Sequence, residues 1–297
     1  WNASRFVLMN VKPEAKIADV KDIDVTKLGL PSRWILSKYF SALKEVGQAI
    51  EQYRYSEGET VLYEFFWGTY CDWYLEIIKG SLNDINVQKT AYFVLENTLK
   101  MLHPFIPFVT EELYSQFKGK ETLLTLEAWP EVSKDLISGK TEKDMALIVE
   151  LVAGLRNIRA QWGIKPQDPI TCVFVPASET SLAFIKENAD ILLKLARISS
   201  VTFDAKAGVV KNSATGVAGD VKFFIPLGDL IDVEKEKAKV QAQIEQQEKA
   251  AAAIEGRLSN EGFVKKAPAE VIEKERQRMT ALRARNAEFQ KALDALV

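Results

Sequence analysis

A chain of 297 residues has room for two or three domains, and a hydrophobic fraction of 47% is ordinary for a globular protein. A formal charge of −2 gives no global nucleic-acid footprint, and a single histidine leaves little material for histidine chemistry. The two cysteines, Cys71 and Cys172, are far apart and lack a second ligand at metal spacing, so they read as buried free thiols in a reducing cytoplasm; no apolar run is long enough to cross a bilayer.

The first half reads as long helices. An amphipathic pattern is already running at Trp1 and fades near Lys12-Pro13, so the chain reads as a fragment of a larger protein. Lys16 to Lys27 is polar and irregular, a loop. Pro31 and Ser32 start a second helix with Trp34, Ile35, Tyr39, Leu43, Val46, Ile50 and Tyr53 on one stripe, and Glu57-Gly58-Glu59 is expected to break it. A third helix carries Leu62, Phe65, Phe66, Thr69, Trp73, Leu75, Ile77 and Ile78. It is apolar almost all round, which predicts a place in the middle of a bundle. A fourth runs from about Asn86 to Phe117, interrupted at Pro104 and Pro107. Residues 119–140 connect to a fifth helix, roughly Glu142 to Trp162.

The character changes at Pro166-Gln167-Asp168-Pro169. Ile170 to Val175 is a buried-type strand and Leu182 to Leu195 a short helix. Ser200 to Phe203 and Val221 to Pro226 read as further strands, with Gly208 to Gly219 as hairpin and loop. From Leu230 a seam runs Leu230, Val233, Lys237, Val240, Ile244, Gln247, Ala251, Ile254, Leu258, with steps alternating three and four, as in a coiled coil. Asp229 can cap that helix. Gly262 can end it in a left-handed conformation and Pro268 suits the first turn of the next. The second seam is Ile272, Glu275, Met279, Leu282, Asn286, Phe289, Leu293, Leu296. The arms are similar in length, so they pair antiparallel within one chain, which predicts a monomer. The expected architecture is mainly α: a helical bundle (1–165), a small α/β connector (166–228) and an antiparallel coiled-coil hairpin (229–297).

Catalysis needs a nucleophile, base or metal held in a site. His103 precedes a proline in an apolar segment and reads as a packed core residue. Asp72 and Glu76 share a helix face and read as structural. No phosphate-cradling loop or metal motif appears, so no catalytic or metal residue is assigned and no cofactor is expected in this chain. Nucleic-acid binding has more support. From residue 233 onward there are thirteen Lys/Arg against eleven Asp/Glu, leaving 26 against 30 in the rest. In the second arm Lys274, Arg278 and Arg285 form one row and Arg276 and Arg283 a neighbouring one. Such rows can track phosphates, or can be a solvated face balanced by Glu273, Glu275 and Glu288. Lys265 and Lys266 sit at the tip, where Phe263 reads as a plug closing the hairpin. Polar groups in the seam, with the thin stretch Ala250 to Ala253, predict an arm that moves when nothing is bound.

Ser259-Asn260-Glu261-Gly262-Phe263-Val264, then Lys266-Ala267-Pro268, Val271 and Glu273-Lys274-Glu275-Arg276 resemble the C-terminal arm of valyl-tRNA synthetases. Trp1-Asn2-Ala3-Ser4-Arg5-Phe6-Val7 resembles the first helix of that family's anticodon-binding domain. So do Cys71-Asp72-Trp73-Tyr74-Leu75-Glu76, Leu102-His103-Pro104-Phe105 with Pro107-Phe108 and Thr110-Glu111-Glu112-Leu113, and Arg156-Asn157-Ile158-Arg159. The helical-domain motifs are partly shared with isoleucyl- and leucyl-type synthetases; the hairpin is specific to the valyl type. The resemblance implies a bundle that reads the anticodon of valine tRNA and an arm that leans on its elbow. It implies Asn2, Arg5, Lys79 and Leu82 at the anticodon, with Phe6 and Trp34 as core or contacts. It places Lys265, Lys266, Lys274, Arg276, Arg278, Arg283 and Arg285 on the tRNA backbone. Arg156 and Arg159, on one face of the fifth helix, either touch the anticodon stem or bridge helix to domain. The parent enzyme would be cytoplasmic and use ATP and Mg, with adenylation and editing in upstream domains, so this chain alone should be inactive. The alternatives are the tail of an isoleucyl-type synthetase and a non-enzymatic coiled-coil scaffold.

Overall fold

The computed structural model describes residues 1–165, 167–204, 213–228, 230, 233–259 and 269–294. These form two compact units, 1–149 and 150–297. The expectations for Asp229, Gly262, Phe263, Lys265, Lys266 and Pro268 lie outside the described residues, as do the side chains of Lys237 and Arg285.

The first unit is a bundle of α1 (Asn2–Asn10), α2 (Leu30–Glu51), α3 (Tyr55–Tyr63), a wide helical segment Glu64–Tyr74, α4 (Leu75–Ile78), α5 (Ile85–Leu102), α6 (Pro107–Lys118) and the start of α7 (Gly139–Gln161). Its centre is the predicted stripe of α2: Ile35, Tyr39, Leu43 and Val46 are fully buried where α2 packs on α5 and the wide segment, as are Tyr70, Tyr74, Val94, Leu95 and Leu99. The loop 16–27 contains two short turns, capped by Asp19 onto Lys21 N and by Asp24 onto Thr26 N, and is pinned by buried Ile17, Ile23 and Leu28.

Three details differ from expectation. The break after α2 comes at Gln52–Arg54, where Tyr53 takes a φ of 58°. Gly58 lies inside α3 because a Cβ there would stand 3.3 Å from the Phe105 ring and 3.5 Å from Ala49, so this glycine serves close packing and not a helix stop. The third helix is not enclosed: Glu64–Tyr74 winds with i→i+5 geometry, an opening frequent at functional sites. Phe65, Tyr70 and Tyr74 face the core while Tyr63 and Trp67 stay more than half exposed. The four-residue spacing overlays rings along this stretch, Tyr63 on Trp67 (6.3 Å, 3°) and Phe66 on Tyr70 (5.9 Å, 12°).

The break at Pro104 and Pro107 is as predicted. His103 Nδ1 lies 2.9 Å from Thr110 Oγ1 across it, and Glu111 accepts the amides of Leu124 and Thr125, anchoring the connector. Behind it sits a buried charge. Glu96 is 2% exposed and pairs with Lys118 Nζ at 3.0 Å. Its second oxygen, Tyr39 OH and Tyr114 OH have no hydrogen-bond partner among the described residues. Burial pushes the Glu96 carboxyl above its ordinary range, and Lys118 only partly opposes this.

The second unit takes the C-terminal part of α7 and packs it with a four-stranded sheet in the order β2-β1-β4-β3. The strands are β1 (Thr171–Pro176), β2 (Ser200–Phe203), β3 (Ser213–Ala218) and β4 (Val221–Pro226). β1 and β2 run parallel, joined through α8 (Glu179–Glu187) and α9 (Ala189–Ala196). β3, read from sequence only as hairpin and loop, pairs antiparallel with β4 through a turn at Gly219, whose φ is 53°. Cys172, Phe174, Val221, Phe223 and Ile225 line one buried face. The Phe223 ring occupies the space left by two glycines: a Cβ at Gly154 of α7 would stand 2.7 Å from it, and one at Gly216 would overlap it.

The last two helices, α10 (Val233–Leu258) and α11 (Ala269–Asp294), pack on each other. The seam follows the predicted heptad. Val240, Ile244 and Ile254 are buried, and Gln247, Ala251, Leu258, Ile272, Glu275, Met279, Leu282, Asn286 and Phe289 are half-buried. Two pairs across the arms, Arg283 Nη2 to Glu255 Oε1 (3.2 Å) and Arg257 Nη2 to Glu275 Oε2 (3.4 Å), fix an antiparallel register. That register brings Gln247 and Asn286 to about the same level, where Gln247 Oε1 and Asn286 Oδ1 have no hydrogen-bond partner among the described residues.

Candidate nucleic-acid interface

α1 and the wide helical segment enclose a pocket of about 460 Å³, lined chiefly by Trp1, Asn2, Phe6, Phe66, Trp67, Asp72, Glu76 and Lys79. Its location follows from sequence. α1 buries Val7 and Ser4 against the bundle and turns Trp1, Asn2 and Phe6 the other way. The wide segment places Cys71 and Asp72 on the facing wall, and α4 continues it with Leu75. Asp72 and Glu76 share that wall as their spacing requires, at its exposed surface. Lys79 Nζ lies 2.5 Å from Glu76 Oε1, an exposed pair that solvent keeps weak and exchangeable. The Cys71 thiol is pushed up to about 11 by burial, with Asp72 adding to the effect, so it is not a nucleophile near neutral pH.

Of the four expected anticodon residues, Asn2 and Lys79 meet in this pocket. Arg5 is exposed one turn along α1, outside the pocket lining. Leu82 is half-buried in the turn before α5, where its carbonyl accepts from Gln88 Nε2 at 2.7 Å. Gln88 Oε1 in turn accepts the Lys12 amide at 2.8 Å, tying the end of α1 to that turn. Trp34 is core, 7% exposed, whereas Phe6 lines the pocket. Trp67 and Phe66 are among the lining residues that the sequence did not point to as contacts. The available signal was an aromatic run sharing a helix stripe with Asp72 and Glu76, which a fully enclosed helix would not tolerate.

On the arm, Lys274, Arg276 and Arg278 are exposed, and Arg283 is paired with Glu255. Arg285 lies within α11. Arg156 and Arg159 are elsewhere, at the C-terminus of α9. Arg156 Nε donates to Leu195 O at 3.0 Å. Arg159 is 7% exposed and donates to Ala196 O (3.2 Å), Lys165 O (2.8 Å), Asp168 O (3.0 Å) and Arg197 O. Both arginines thus bridge α7 to backbone carbonyls of the same unit. Arg159 is too enclosed to reach a phosphate and is withdrawn from the interface.

Comparison with known proteins places this arrangement. The pattern described as "Anticodon-binding domain of tRNA ligase" matches residues 32–174, and that described as "Valyl tRNA synthetase tRNA binding arm" matches 232–297. The valine–tRNA ligase of Thermotoga maritima is 34% identical over 297 residues, covering 99% of this chain and 33% of the relative. That of Clostridium perfringens is 35% identical, covering 100% of this chain and 33% of the relative, and that of Geobacter sulfurreducens is 35% identical, covering 94% and 32%. Both matched patterns are those of aminoacyl-tRNA synthetases, which sets the class. Within that class the chain belongs to the valyl-tRNA synthetase family, and it spans about a third of the length of the relatives it matches, their C-terminal part.

Proposed function

We propose that this chain grips valine tRNA at two places, the anticodon through the first unit and the elbow through the arm. The observation that carries the reading is the presence, in one chain and in this order, of an anticodon-type bundle with an aromatic, polar-rimmed pocket and an arm of the valyl type. Unpaired bases suit such a pocket. Trp67, Phe66 and Phe6 offer faces for stacking, and Asn2, Lys79, Asp72 and Glu76 offer donors and acceptors for base edges. Arg5 and the Leu82 turn flank it. Lys274, Arg276, Arg278, Arg283 and Arg285, with Lys265 and Lys266 between the two helices in the sequence, supply the sequence-independent phosphate contacts.

The parent enzyme joins valine to its tRNA in the cytoplasm, with ATP and Mg²⁺ acting in the two thirds of the relatives' length that this chain does not span. The chain alone therefore binds tRNA as a monomer and does not aminoacylate it. The match to a valyl-type arm disfavours both an isoleucyl-type tail and a scaffold.

The test is binding to valine tRNA and isoleucine tRNA across a salt series. Preference for valine tRNA, lost when the middle anticodon base is changed, is the expected result. Equal and steeply salt-dependent binding to both would leave only a general RNA grip, and no binding at low salt would overturn the reading.

A further inference from the structure

Within the first unit a second cavity, of about 360 Å³, shares a wall with the candidate pocket: Phe66 and Trp67 line both. α3 adds Leu62 and Tyr63, and the end of α5 with the turn after it adds Leu102, Phe105 and Ile106. That turn is fixed by the chain itself. The Phe105 and Ile106 amides both bond Leu102 O at 3.0 Å, and the bare Cα of Gly58 leaves room for the Phe105 ring. On the other side the Tyr63 and Trp67 rings lie parallel within 3°, their centroids 6.3 Å apart. They are 65% and 57% exposed, although both belong to an apolar cavity that would cover them if filled. Contiguous apolar surface of this kind marks a place where something binds. The two cavities differ in chemistry. The first has Asn2, Asp72, Glu76 and Lys79 in its lining, whereas the second has Glu59 as its charged residue among apolar and aromatic side chains.

We propose that the second cavity is a second base site: an RNA loop places two consecutive unpaired bases on either side of Trp67, one in each cavity. The inference rests on the anticodon reading above and deepens it. Its occupant is an RNA base because the cavity is continuous, through Trp67 and Phe66, with the pocket that reading assigns to unpaired bases. Splayed bases lose the stack between them, and an aromatic side chain standing between the two replaces it. The first cavity reads base edges through its polar groups. The second holds its base by ring contact from Tyr63 and Trp67 and by the apolar side of Ile106, so it discriminates weakly between bases. Lys79 in one cavity and Glu59 in the other set the strand's position. The phosphates are drawn to the first, and only a base enters the second, where Glu59 can accept from an exocyclic amino group.

The experiment uses the whole chain and the anticodon stem–loop of valine tRNA, with each loop base replaced in turn by an abasic site. Binding is measured for the parent chain, Tyr63→Ala, Tyr63→Phe, Ile106→Ser and Lys79→Ala. In the parent, two adjacent abasic positions should cost the most, each about fivefold or more. Tyr63→Ala should weaken the intact stem–loop by about fivefold or more and cancel the cost of one of those two positions while leaving the other. Lys79→Ala should couple to the other position instead. Tyr63→Phe, which keeps the ring, should bind within about twofold of the parent. Ile106→Ser, on the opposite wall, should couple to the same base as Tyr63→Ala. Both side chains are exposed, so thermal melts of these variants should match the parent's.

Costs that simply add at every loop position for both Tyr63→Ala and Ile106→Ser would overturn the proposal, and the anticodon reading would stand if Lys79→Ala still couples to one base. Coupling of Tyr63 and Lys79 to the same base, or to bases that are not neighbours, would also overturn it. Self-association of the parent chain in sedimentation, lost in Tyr63→Ala, would assign this face to a second copy and overturn it too. If the parent chain does not bind the stem–loop at low salt, the anticodon reading itself fails and the second base site fails with it.

Discussion

The bundle and the arm achieve order by different means. In the bundle, whole aromatic side chains disappear from solvent: Tyr39, Tyr70, Tyr74, Tyr92, Phe40 and Tyr114 are essentially unexposed. The arm has only Val240, Ile244 and Ile254 buried among its described residues, and polar Gln247, Glu275 and Asn286 share the same seam. One region resists deformation because removing any core side chain leaves a void. The other has little void to leave, and its register depends on polar layers and surface ion pairs. The proposed two-site grip would use both properties: a preformed pocket for unpaired bases, and a compliant lever that meets a backbone.

The sharpest way to break this contrast is Leu43→Ala, at the fully buried centre of α2. It should destabilise the first unit by about 2–5 kcal/mol, measured by urea unfolding, whereas Leu282→Ala in the half-buried arm seam should fall below that range. Next is Gly154→Ala. Its methyl meets the enclosed Phe223 ring, so the second unit should lose about 1–3 kcal/mol although alanine is the better helix former. A loss near zero would mean that the ring can swing aside.

How far the sequence revealed all this follows from which interactions are periodic. Heptads and amphipathic stripes announce themselves, so the long helices, the proline break and both seams were legible. Gly58 and Gly154 were not, because a glycine that admits a neighbouring ring looks in sequence like one that ends a helix. β3 was hidden because Ser213 to Ala218 is weakly apolar and takes its place by pairing with β4. Asn2 and Lys79, expected from the family resemblance, both line the candidate pocket. Trp67 was not, because its exposure depends on helical widening that no 3.6-residue pattern encodes. Arg159 was misplaced for a similar reason. A pair spaced for one helix face fits a phosphate row and a helix-end clamp equally well, and only the position of α9 separates them.

Two smaller effects sharpen the comparison. Replacing Gln247 and Asn286 together with leucine should stabilise the arm by on the order of 1 kcal/mol, because unpartnered amide oxygens give way to apolar contact. The same change should broaden the register, visible as new cross-arm disulfides in a cysteine-pair scan. In the bundle, Glu96 provides a pH signature. Its folded-state carboxyl is raised by burial, so between the ordinary glutamate range and that raised value the native state binds more protons than the unfolded one. Its contribution is therefore fully present at acid pH, below the ordinary range, and is lost as pH rises through the raised value. Glu96→Gln should flatten this slope in thermal melts taken between pH 4 and neutrality, and an unchanged slope would show that another group carries it.

The most direct test of the central claim is amide hydrogen exchange on the whole chain with and without valine tRNA. The two-site account predicts slowed exchange in two separate places: the pocket walls, α1 and residues 63–82, and both helices of the arm. Without tRNA, exchange should be fast in the arm and slow in the core of α2 and α5. Protection confined to the arm, or an arm already slow before tRNA is added, would contradict the account.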